Sequence, residues 1–179
     1  MKINNLLSLI AIMLVFPNSV HANDSKVTFK NPDEFRDIRS ADQSKRKFQK
    51  SLLNKLSSYV EKLSKDLPDG YSVHIAFTDI DLAGRVDYQF DMSRELRVIR
   101  HQDTPKLEFE VQLLKNGQAV SKSNVELKDI AFMDKPVFIG IRNDTLRYEK
   151  RMLKEWFESD LISLIETWNK QQNNVMQAV

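Results

Sequence analysis

Two carboxylates one residue apart, followed closely by a glycine, are the first arrangement in this chain that could do chemistry: Asp79-Ile80-Asp81-Leu82-Ala83-Gly84. Such a pair can hold a cation, or divide acid and base roles if one member keeps its proton. The spacing imitates the opening of a calcium loop. The fifth position is Ala83, however, and the twelfth is Phe90, where a bidentate Glu belongs, so an EF-hand is excluded. Asp79 and Asp81 remain as metal candidates on a turn. A second charged group, Asp33, Arg36, Asp37 and Arg39, lies earlier in the chain. If the strands before the two groups are parallel neighbours, both groups leave the sheet at the same edge, where open α/β sheets bind ligands. Such a cluster could bind a cation, a zwitterionic ligand or a partner. It could equally tie two loops together through hydrogen-bonded ion pairs, and the structural role is the favoured expectation.

Other catalytic signatures are missing. There is no Gly-x-Ser-x-Gly elbow, phosphate-cradling glycine loop or His-Glu-x-x-His. The absence of cysteine removes thiol catalysis, zinc-thiolate sites and disulfides. Beyond the first 22 residues only His74 and His101 remain, too few for a three-histidine zinc site. No residue is assigned a catalytic role and no cofactor is called for. The residues favour a non-enzymatic binding or accessory module acting on an envelope protein or a small ligand. The alternative is a carboxylate-based hydrolase or cation-binding protein using Asp79 and Asp81.

The elements that must position these residues follow from hydropathy. Lys26 to Lys30 alternates as a short strand, and Asn31-Pro32-Asp33 ends it. A long helix is expected from Ala41 to Leu67, with Ser40 and Gln43 at capping-box spacing and Phe48, Leu52, Leu56, Tyr59 and Leu63 as its apolar stripe. Leu67-Pro68-Asp69-Gly70 stops it. Tyr71, Val73, Ile75 and Phe77 then alternate with polar or small residues as a second strand, which leaves His74 on the wet face. Further strands are expected near Leu96 to Ile99, at Leu107 to Leu114 and through Val120 to Leu127, the last two joined by a turn at Asn116-Gly117. Val137 to Ile141 could supply one more short strand. A final helix is expected from an N-cap in Asn143-Asp144-Thr145 to about Lys170, with Leu153, Phe157, Leu164 and Trp168 as one stripe and Tyr148, Met152 and Trp156 beside it. The tail beyond it reads as frayed. The order implies an α+β two-layer sandwich: a mixed, mostly antiparallel sheet of about five strands with two long helices on one face.

The chain opens with Lys2, an apolar run from Leu6 to Phe16, and Val20-His21-Ala22 in a small-x-small pattern, the build of a secretory signal peptide cleaved after Ala22. The run is well short of the roughly 20 residues a spanning helix needs, so no transmembrane segment is expected after cleavage. Residues 1–22 are therefore set aside, and 23–179 read as a single α+β domain. Formal charge is +2, but from Arg36 to Lys65 nine basic residues face three acidic ones. Export and the lack of interleaved aromatic residues argue against nucleic acid as a partner. The lysines of the first helix read mainly as a solvated outer face, with weak contact to an anionic surface as the alternative.

The segments VTFKNPDEFRDI, LPDG, TDIDLAG, LKD and YEKRMLKEWF together resemble a family of exported proteobacterial proteins catalogued as domain of unknown function 3016. The resemblance runs from Val27 to Phe157, with TDIDLAG and YEK-x-ML-x-x-WF its most specific parts and Asp129 to Asn143 the least easily matched. It implies export to the periplasm, and brings no activity, cofactor or site residue.

Overall fold

A four-stranded sheet organises the computed structural model, which describes residues 25–41, 44–88 and 95–177. The expected signal segment lies outside the described residues. β1 (Lys26–Phe29) runs parallel to β2 (Tyr71–Asp81), with Val27 opposite Ile75 and Phe29 opposite Phe77. β2 pairs antiparallel with β5 (Lys106–Lys115), and β5 with β6 (Gln118–Lys128). Asn116 and Gly117 both have positive φ, as a tight hairpin matching strand twist requires. The expected α+β class is therefore present, with one parallel and two antiparallel pairings. The strand expected near Leu96 is β4 (Glu95–Val98), and it leaves the main sheet to pair antiparallel with β3 (Arg85–Tyr88).

α1 (Lys45–Ser64) buries Leu52, Leu56, Tyr59, Val60 and Leu63, positions three and four apart, against the sheet. It begins four residues later than expected, with Ser44 at the N-cap position. Gln43 of the expected capping box lies outside the described residues. The sheet presents Tyr71, Val73, Ile75, Phe77, Leu107, Phe109, Val111 and Leu113 to the helices, all buried in one cluster. His74 instead lines a shallow groove on the other face with Lys26, Glu110 and Lys122.

The C-terminal helical run is α2 (Arg147–Trp156), a π-helical turn (Phe157–Leu161) and α3 (Ile162–Gln177). It outlasts the expected end at Lys170, since neither Gly nor Pro interrupts the tail. The wider π turn also rotates the buried stripe. Leu153 and Phe157 are buried as expected, but Leu161 and Ile165 follow them, while Leu164 and Trp168 are only partly buried. Trp156 lies edge-on to Phe109 at 5.0 Å, and Tyr71 donates through its hydroxyl to Asn169 at 2.6 Å. Val137 to Ile141 forms no strand; Ile139–Ile141 is a single 3-10 turn.

Candidate functional site

The bend of the chain between β1 and α1 is fixed by its own residues. Asn31 takes the left-handed region at φ 47°, Pro32–Glu34 make one 3-10 turn, and Phe35 and Ile38 are buried. After this excursion the segment rejoins the edge of β2, still running parallel to it, where the Asp37 N–H donates to the Ile80 carbonyl at 3.3 Å and Asp37 bridges to Asp81 in parallel register. The end of β2 depends on a bulge. Phe77 faces Phe109 but Asp79 faces Glu108, so Thr78 is the extra residue and inside-outside parity switches there. Ile80 and Leu82 are buried as a result, while Asp79 and Asp81 turn outward on a continuing strand, not on the turn expected for them.

The parallel pairing brings both charged groups to one edge. Asp79 Oδ1 accepts the N–H of Arg36 at 2.9 Å and that of Ile80 at 2.9 Å, and its other oxygen lies 3.3 Å from the Arg36 guanidinium. Asp81 is 3.9 Å from the same guanidinium. Burial, then the neighbouring charge of Asp37, pushes the Asp81 carboxyl above its ordinary pKa against the pull of Arg36. Asp33 stands apart from the pairs: its carboxylate accepts from Gln49 Nε2 at 3.2 Å and its carbonyl from Lys45 Nζ at 3.2 Å. Arg39 turns to Glu95. No group of three or more His, Asp or Glu side chains able to hold a metal ion exists among the described residues.

The cation at the centre of this edge is one that sequence reasoning missed. Arg97 of β4 grips Asp37 with two parallel hydrogen bonds, 2.9 and 3.2 Å, and donates to the carbonyls of Gly84 at 2.7 Å and Arg39 at 2.7 Å. Arg97 thus clamps the β1–α1 segment to the β2–β3 turn. Gly84 makes that turn possible. Its φ is +77°, and a Cβ would overlap the Val98 carbonyl and lie 2.7 Å from Ile99 Cδ1. The Ala83 N–H donates at 2.8 Å to Glu149 Oε1, on the first turn of α2. Glu149 is 1% exposed and its Oε2 has no partner, so burial raises the pKa of its carboxyl and favours the neutral acid.

Glu149 opens a run of three buried charges, each tied to a different part of the fold. Lys150 binds Asp144 at 2.5 Å and lies over the Tyr59 ring of α1. Arg151, fully buried, donates to Asp129 at 2.8 Å and to the carbonyls of Phe132 and Lys135 at 2.8 and 2.9 Å. The residues of TDIDLAG and YEK are thus in direct contact, and together they lock the turns around the helical layer. An open cleft of about 670 Å³, lined by Arg39, Ser40, Ala41, Lys45 and Glu95 among others, adjoins the clamp. His101 lies apart, exposed, 3.6 Å from Asp134.

This geometry defines an α+β module whose charged edge is an internal ion-pair clamp beside an open polar cleft. The chain belongs to the family described as protein of unknown function (DUF3016), whose model matches residues 23–159. No curated protein matches it, and no solved structure does.

Proposed function

We propose that the protein is exported, loses residues 1–22 and works in the periplasm as a non-enzymatic binding or accessory module for an envelope protein or a small polar ligand. One observation carries the non-enzymatic reading. The carboxylates best placed for chemistry are committed to partners inside the chain: Asp37 to Arg97, and Asp79 to Arg36 and two backbone amides. A carboxylate held in this way orders a loop and is poorly placed to move a proton. Support for export comes from the composition of residues 1–22 and from the family match, which starts at residue 23. Intact mass of the protein recovered from periplasm tests this reading, with Asn23 expected at the N-terminus. A product retaining Lys2, or recovery from the cytoplasm alone, refutes it.

A second reading, an acid-base or cation-binding site, rests on Asp81, whose carboxyl is raised by burial and by Asp37 as a general acid requires. Replacing Asp79 and Asp81 together by Asn separates the two. The structural role predicts a lower melting temperature with partner binding weakened in proportion. The chemical role predicts an intact fold and a lost response to ligand or cation.

A further inference from the structure

The strongest charge asymmetry in the molecule lies on α1. From Lys45 to Lys65 there are seven basic residues and one acidic residue, Glu61, a net of +6 in a chain whose formal charge is +2, which leaves −4 elsewhere. The structure adds what hydropathy could not show. Outside this stretch, twelve lysines and arginines reach a carboxylate among the described residues. Within it, Lys45 bonds the Asp33 carbonyl and Lys55 bonds Thr145, but Arg46, Lys47, Lys50, Lys62 and Lys65 are exposed, and their side chains have no ion pair or hydrogen bond among the described residues.

At 100° per residue these five fall on the outer half of the helix, opposite Leu52, Leu56 and Leu63, along a rod about 30 Å long. Short Ser51, Asn54 and Ser58 stand between them. The face has no depth to enclose a small ion. Its aromatic residues, Phe48 and Tyr59, turn inward, so it offers no stacking surface for bases. One flank carries an exposed apolar side chain. Gly140 and Ile141 share a shallow groove with Lys55 and Lys62, and the adjoining Ile139, 88% exposed, is the most exposed large apolar side chain among the described residues. A flat row of uncompensated cations beside a protruding apolar residue matches the interface of an anionic bilayer, where lysines meet phosphates and an aliphatic side chain enters the acyl boundary.

We propose that the outer face of α1, with Ile139 at its flank, docks the protein on an anionic phospholipid surface. The contact is reversible and salt-sensitive, and it orients the rest of the molecule, which carries the opposite charge, away from the bilayer.

The test is co-sedimentation of the purified protein with vesicles of equal parts phosphatidylglycerol and phosphatidylcholine, compared with phosphatidylcholine alone. Binding is expected to the anionic vesicles at low salt and to vanish near 1 M salt, where the screening length is about 3 Å. Lys47→Gln with Lys50→Gln removes two unpartnered charges, and affinity should fall roughly 25-fold, about 5-fold for each. Ile139→Ser should weaken binding while leaving its salt dependence unchanged. Lys128→Gln, which alters an exposed lysine on the far strand, should leave binding intact. Retained melting temperatures exclude misfolding as the cause. Absence of anionic-vesicle binding at low salt overturns the proposal, as does binding indifferent to the double substitution. Inorganic polyphosphate binding as tightly as vesicles, with Ile139→Ser silent, would mark a general polyanion surface and overturn the assignment to lipid.

Discussion

Replacing Arg151 by Met tests whether the buried charges of α2 hold the helical layer together. The guanidinium is fully buried, and it gives three hydrogen bonds to the 129–135 segment: one to the Asp129 carboxylate and two to backbone carbonyls. Met fills similar volume but removes all three donors. Asp129, itself 6% exposed, keeps Lys135 and the Ala131 N–H, each at 3.1 Å, and the carbonyls of Phe132, which is buried, and of Lys135 each lose a donor. Breaking one side of a buried pair costs about 3–5 kcal/mol. For a domain of this size each kcal/mol moves the melting temperature by about 2–4 °C, so a drop of roughly 6–20 °C is expected. Urea unfolding at pH 7 should show the midpoint falling at constant slope. Adding Asp129→Leu to Arg151→Met should restore part of the loss, because the stranded charge is then removed. The pH profile supplies a second check. Burial pushes the Asp129 carboxyl up, but hydrogen bonds from Lys135 and Arg151 outweigh it and leave the pKa below the ordinary range. This stabilisation is present above the unfolded-state pKa and is lost as pH falls through the folded one, and Arg151→Met should shrink that acid-side loss. A loss under about 1 kcal/mol, or no coupling between the two positions, would refute the reasoning.

Glu149→Gln should act on the alkaline side. Its raised folded pKa makes its contribution full below the unfolded pKa and lost as pH rises through the folded value, so Gln should stabilise the protein at pH 8 and change little at pH 4 in thermal melts. Gln also keeps the acceptor for the Ala83 N–H. Gly84→Ala should destabilise by about 1–3 kcal/mol in urea unfolding, because it adds both a strained φ and an overlap with Val98. Gly117→Ala, whose Cβ would meet nothing within 4 Å, isolates the φ penalty alone and should lose less.

What the sequence made legible was local. Alternation located β2 and β5, and the pairing of β1 with β2 placed Arg36, Asp37, Asp79 and Asp81 at one edge, while Asp33 turned to α1. The end of β2 was hidden because a bulge is a property of two strands. Whether Thr78 is skipped depends on how Glu108 and Phe109 pair, and in β2 read alone the alternation stops where its parity changes. Arg97 was hidden for a related reason. It lies on a four-residue strand whose partner is equally short, so neither shows a period, and its ligands come from two segments far from it in sequence order and from each other, residues 37–39 and the turn at Gly84.

The buried Glu149-Lys150-Arg151 run is different, because its signal was present in the helix pattern. An apolar arc that includes Met152, Leu153, Trp156 and Phe157 spans more than one buried stripe. Glu149 stands three and four residues before Met152 and Leu153, and therefore directly in line with them. A charge on such a line has either to be neutralised or to find partners. Glu149 takes the first course, through a raised carboxyl pKa, and Arg151 the second, through Asp129 and two carbonyls. Three adjacent charges inside a wide apolar arc thus mark where turns must come to meet a helix. The turns that come are Leu82–Gly84 and 129–135. Arg151 holds two of its turn's three anchors through backbone carbonyls, which do not depend on the identity of the side chains at Phe132 and Lys135.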